Sequence, residues 1–174
     1  QYDRPVTLQA GPDWIPLENK TDIVAGSALD FSGMGLAEGP AGKYGRVVVG
    51  KTGHFEFEKK PGVPQRFYGV NFCFSALYLE KDQVDRLMDR LVRLGYNTIR
   101  IHHYEGELSG GWGSSRNSLD FIPEKVDQLD YFFAAAKVRG LYVTTDLYVS
   151  RPVKPADVGM TGEGINLKLL IPFH

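Results

Sequence analysis

The chain has 174 residues, a formal net charge of −1 and 43% hydrophobic residues, which are ordinary values for one globular domain. Neither sign of charge dominates, so the composition predicts neither a nucleic-acid groove nor a membrane surface as partner. No apolar run approaches the roughly 20 residues that a membrane helix needs. Cys73 is the single cysteine, which excludes an internal disulfide.

The first third of the chain is β-rich. Residues 46–49 read as a strand with three successive valines, 50–53 are turn-forming, and 54–58 alternate polar with apolar side chains. This pattern predicts a β-hairpin. Residues 45–52 also match the phosphate-loop pattern GxxxxGK[ST]. That loop needs flexible residues followed by a helix, so we interpret the match as the turn of the hairpin.

From residue 66 onward strands and helices alternate. The predicted elements are strand 67–72, helix 81–94, strand 98–102, a Gly/Ser-rich loop 105–118, a helix that begins at Pro123 and ends before Gly140, and strand 141–147. Such alternation predicts a parallel sheet with helices packed outside it.

A closed (β/α)8 TIM barrel needs about 250 residues. The predicted fold class is therefore α/β: residues 66–174 form a partial TIM barrel of about three βα units, and residues 1–65 form a β-rich lead-in. The apolar residues 167–173 are expected to pack against further chain. The remainder of the barrel is expected either to be missing or to come from another chain.

Polar residues interrupt the second barrel strand at alternate positions. If Ile99 and Ile101 face the helices, Arg100 and His102 face the barrel interior. A buried guanidinium needs a carboxylate partner, and barrel active sites lie at the C-terminal ends of strands. We therefore predict Arg100, His102 and the following His103 as site residues.

The neighbouring strands and one loop add further candidates. The same alternation points Asp146 and Tyr148 inward at the end of the third strand, where Asp146 is a possible partner of Arg100. Asn71 ends the first strand. Trp112, in the Gly-rich loop, is a candidate platform for a sugar ring, because its apolar face can stack on the C–H face of a pyranose.

Three stretches in this order carry a family resemblance: RFYGVN at 66–71, LGYNTIRIHH at 94–103 and GLYVTTDL at 140–147. They resemble the opening units of clan A retaining glycoside hydrolases, near the cellulase-like family 5. The resemblance implies a secreted, periplasmic or cell-surface hydrolase of poly- or oligosaccharides that uses no metal or cofactor. It also implies that Arg100 helps to hold the nucleophilic carboxylate. Tyr148 departs from the family, which often has a histidine near that position.

In that clan the two catalytic glutamates follow the fourth and seventh strands, which we do not expect within these residues. Glu105, Glu107 and Glu163 are predicted to lie in loops, and none of them follows an asparagine. We therefore expect the 174-residue chain to be inactive by itself and to contribute sugar-binding residues.

Two other functions stay open. Histidine and aspartate suit zinc or manganese, so a metal-dependent barrel hydrolase is one alternative, although adjacent histidines on a strand are expected to point in opposite directions. A non-catalytic carbohydrate-binding module built from residues 1–65 is the other.

Overall fold

The computed structural model describes residues 7–17, 21–111, 117–147, 149–151 and 153–161. Its strands are β1 (Val47–Val49), β2 (Phe55–Phe57), β3 (Gly69–Cys73), β4 (Thr98–His102) and β5 (Tyr142–Thr145), and its α-helices are α1 (Lys81–Arg93), α2 (Glu105–Leu108) and α3 (Pro123–Val138). Short 3-10 helices span Ser32–Met34, Phe74–Leu77 and Pro155–Val158. Within this described part, no helix has the length and apolarity to cross a membrane.

The predicted hairpin is present in the lead-in. Strands β1 and β2 pair antiparallel, with Val47 opposite Phe57 and Val49 opposite Phe55. The Gly50 amide donates a hydrogen bond of 2.8 Å to the His54 carbonyl and closes the turn between them. The segment that matches the phosphate-loop pattern thus consists of strand β1 and the start of the hairpin turn, and strand β2 follows it.

The second part is a parallel sheet with helices on one face. Its strand order is β3-β4-β5, and both pairings are parallel, as the alternation of elements predicts. Helices α1 and α3 pack beside each other and share one core with β4. The core residues include Val84, Met88, Leu91, Ile99, Ile101, Leu129, Phe132, Ala136 and Leu141. The mixed α/β class is confirmed.

The structure differs from the expected elements in three places. Strand β3 spans Gly69–Cys73 and not the predicted 67–72. The stretch 105–118, predicted as a loop, begins with the one-turn helix α2, too short to show the apolar periodicity on which helix prediction rests. Strand β5 ends at Thr145, two residues before the predicted end. The Asp146 amide still donates to the Ile101 carbonyl, at 3.3 Å.

The lead-in is bound to the N-terminal end of the sheet and to the C-terminal ends of the helices. The Phe31 amide donates to the Arg93 carbonyl at 2.8 Å, and the Ala41 amide donates to the Lys137 carbonyl at 2.8 Å. The ring of Phe57 stacks on that of Tyr142, with centroids 5.4 Å apart. These contacts lie away from the C-terminal ends of the strands.

Substitution of Gly140 by alanine tests the attachment of the lead-in, and the same substitution at Gly26 is the matched control. Both have positive φ, +82° at Gly140 and +76° at Gly26. A Cβ on Gly140 would lie 2.5 Å from the backbone carbon of Glu38, whereas one on Gly26 would meet nothing within 4 Å. We expect Gly26→Ala to lower the free energy of unfolding by about 1–2 kcal/mol through backbone strain. Gly140→Ala should cost about 1–3 kcal/mol more, because it also displaces the lead-in.

Denaturant unfolding of the two variants measures the difference. Equal losses would contradict the close attachment of the lead-in at Gly140.

Candidate functional site

Parallel pairing places the polar candidates in two rows across the sheet. Asn71 on β3 is in register with Arg100 on β4, and Cys73 is in register with His102. Ile99 and Ile101 are fully buried against the helices, so Arg100 and His102 occupy the opposite face. The sequence prediction that Arg100 points away from the helices is confirmed.

Arg100 binds a residue on β3 and the residue that directly follows β5. Its Nε donates to Asp146 Oδ1 at 3.1 Å, and its Nη2 donates to Asp146 Oδ2. This is a two-point contact that fits the planar guanidinium. Its Nη1 donates to Asn71 Oδ1 at 3.3 Å. The expected Arg100–Asp146 pair is therefore present, and the guanidinium spans all three strands.

His102 is the third partner of Asp146. Its Nδ1 contacts Asp146 Oδ2, the oxygen that Arg100 Nη2 also binds. Partial burial pushes the pKa of Asp146 upward, but the hydrogen bonds from His102 and Arg100 and the charge of Arg100 outweigh it, so the pKa falls below its ordinary value. An ionised carboxylate can only accept hydrogen bonds, so His102 donates from Nδ1 and keeps Nε2 as an acceptor when it is neutral.

Two aromatic rings adjoin this polar group at the strand ends. Phe74 follows β3 and His103 follows β4, and both have positive φ, +53° and +52°. Their ring centroids lie 4.9 Å apart, and the His103 ring lies 3.9 Å from that of His102. The expectation that His102 and His103 point in opposite directions is wrong, because β4 ends at His102 and the backbone turn brings His103 back beside it.

The loops that follow β4 and β5 are bound to each other. The Ser150 amide donates to Glu105 Oε2 at 3.1 Å. The Ser118 amide lies 3.4 Å from both carboxylate oxygens of Asp157. These contacts join described residues of the segment after β4 to described residues of the segment after β5.

The structure brings together five of the predicted site residues: Asn71, Arg100, His102, His103 and Asp146. Trp112, Tyr148 and Glu163 lie outside the described residues. Phe74 was not predicted, because strict alternation after Phe72 would turn it towards the helices. No pattern in the sequence marks the positive φ that exposes it.

The carboxylates at this end of the sheet already have partners. Asp146 binds Arg100 and His102, Glu105 accepts from the Ser150 amide, and Glu107 lies 3.6 Å from Lys125 Nζ. Among the described residues, no group of three or more histidine, cysteine, aspartate or glutamate side chains is placed to hold a metal ion.

The arrangement can bind polar, uncharged groups. Arg100 and Asp146 neutralise each other, while the Asn71 amide group and His102 Nε2 offer a donor and an acceptor. The Arg100 side chain is half exposed, so its remaining N–H groups face the open side of the sheet. Hydroxyl groups, which donate and accept together, match this set.

Family models, curated proteins and solved structures were each compared with the chain, and none matched.

The lowered pKa of Asp146 gives a test of the ion pair. The ionised carboxylate of Asp146 stabilises the folded state at pH values above its ordinary pKa of 3.8. This stabilisation is lost as the pH falls through the lower pKa that Asp146 has in the folded state. We expect Arg100→Gln to raise the pKa of Asp146, because it removes the guanidinium. A titration followed by the carboxyl ¹³C shift of Asp146 measures this directly.

Arg86→Gln is the matched control. Arg86 pairs with Asp82 on the exposed face of α1, at 2.9 Å, so its removal should leave the Asp146 titration unchanged. A titration midpoint that is the same in Arg100→Gln and in the wild type would contradict the pairing.

Proposed function

We propose that this chain forms part of the sugar-binding site of a retaining glycoside hydrolase with a (β/α)8 barrel, acting on poly- or oligosaccharides outside the cytoplasm. The observation that carries the proposal is the Asn71–Arg100–Asp146–His102 group, which runs from the middle to the C-terminal ends of three adjacent parallel strands. Active sites of (β/α)8 enzymes are built at this end of the barrel.

The open sheet supports completion into a barrel. Parallel sheets are usually covered on both faces, whereas the helices described here, α1 and α3, cover one face. The opposite face carries Arg100 and Asn71, which are exposed. In the described part, β3 and β5 each have a neighbour on one side. Further βα units, from a longer chain or from a partner, would pair with these edges and enclose the polar face.

Arg100 has the central role in this proposal. In a closed barrel, its remaining N–H groups would face the carboxylate that acts as nucleophile, lower the pKa of that carboxylate and orient it. Asp146 and Asn71 fix the guanidinium, and His102 presents Nε2 to a sugar hydroxyl. The two carboxyls of a retaining mechanism, about 5–5.5 Å apart, would come from the further units. The hydrolysis would require no metal or cofactor.

Hydrolysis of aryl glycosides tests the proposal. We expect the 174-residue chain alone to give no turnover and a protein that includes the remaining strands to hydrolyse with retention at the anomeric carbon. In that longer protein, Arg100→Lys keeps the charge but loses the planar fork. It should lower kcat by about 10²–10³-fold, the usual effect of losing one positioned electrostatic contact.

Arg86→Lys is the control, because Arg86 lies on the exposed face of α1 and should leave kcat unchanged. Melting temperatures of both variants separate catalysis from folding. If Arg100→Lys kept normal turnover and melted much lower, Arg100 would be a structural residue. Turnover by the 174-residue chain alone would show that it does not depend on further units for its carboxylates.

A further inference from the structure

Phe74 has an unfavourable backbone conformation at the edge of the candidate site. Its φ is +53°, a region that bulky residues avoid because Cβ meets the backbone. Such strain persists where the surrounding structure imposes it, and it is concentrated at functional sites. Here the positive φ interrupts the alternation of β3 one residue beyond the Cys73–His102 register pair.

The Phe74 side chain does not pack in the described core, although the 3-10 helix Phe74–Leu77 that begins with it carries Leu77 into that core. Phe72, two residues earlier, faces the helices and packs against Phe132 with ring centroids 6.1 Å apart. Regular alternation would send Phe74 to that same side. Instead its side chain turns away, and Phe74 is 52% exposed. Burial of the Phe74 side chain therefore does not explain why a phenylalanine, and not a glycine, occupies this position.

The exposed ring is continuous with the polar group. Phe74 packs against His103 at an interplanar angle of 33°, and His103 meets His102 edge-on at 87°. His102 in turn contacts Asp146, the partner of Arg100. One side of the site is thus an apolar ring surface and the other is a row of hydrogen-bonding groups.

We propose that Phe74 is the stacking platform of this site and binds one pyranose ring by its C–H face. An aromatic face attracts C–H groups and excludes water from them, while the hydroxyls at the ring edge would meet His102 Nε2 and Asn71. The preferred sugar is a pyranose with one face uninterrupted by axial hydroxyls, as in β-glucose. This inference rests on the proposed function and assigns it a substrate class.

The melting temperature of a variant without the Phe74 ring distinguishes a stacking residue from a packing residue. Phe74→Gly removes the ring and accommodates the positive φ without strain, so it should melt at the same temperature as the wild type or higher. Its affinity for cellotetraose should fall by about 2–10-fold, the range expected for one aromatic contact. Phe74→Tyr keeps the ring and should bind like the wild type.

Binding is measured by NMR titration of the 174-residue chain with cellotetraose, xylotetraose and mannotetraose, with the ring signals of Phe74 followed. Phe55→Ala is the control, because Phe55 is also half exposed but lies on β2 of the hairpin. It should leave binding unchanged. Phe74→Asn is a second ring-free variant, since asparagine tolerates positive φ.

Three results of the binding and melting measurements would contradict the proposal. If the wild type binds none of the three sugars, both the proposed function and the platform are overturned. If the wild type binds but Phe74→Gly and Phe74→Asn bind equally well, the platform alone is overturned and the sugar site stands. If both ring-free variants melt far below the wild type, Phe74 is a packing residue, and the platform again fails.

Discussion

The middle strand β4 determines where every polar group of the site lies. Ile99 and Ile101 are fully buried against the helices, and a one-residue shift of this strand would bury Arg100 and His102 instead. Burial of an unpaired guanidinium costs far more than the loss of a few apolar contacts. Hydrophobic packing on one face thus fixes the polar row on the other, and parallel pairing with β3 and β5 brings Asn71 and Asp146 to it.

The same alternation explains how much the sequence could predict. Helix α1 shows a clear apolar period, α3 begins at Pro123, and β4 alternates clearly, so the parallel sheet and the Arg100–Asp146 pair follow from patterns in the chain. His102 follows for the same reason. Asn71 was predicted at the end of the first strand, whereas β3 continues to Cys73 and Asn71 lies at its middle. In this part of the molecule, local pattern and tertiary contact agree.

Prediction fails where the pattern ends. Phe74 and His103 each follow the last residue of a strand and have positive φ, so the period of two no longer applies to them. Nothing in the residue types marks the change, because a phenylalanine and a histidine are both compatible with a continuing strand. The one-turn helix α2 is similar, since four residues are too few for a period of 3.6 to appear.

The contacts that stabilise the fold and the residues of the candidate site lie in different parts of the sheet. The core lies between α1, α3 and one face of the strands, and the lead-in is bound at the N-terminal end through the Arg93 and Lys137 carbonyls. The strained pair Phe74 and His103 lies at the opposite end, where it interrupts none of these contacts. A fold whose packing lies elsewhere can maintain this strained backbone at the edge of the sheet, with Phe74 exposed and His103 partly buried. Because the core does not depend on these residues, their conformations can suit the binding of a ligand without a loss of core packing.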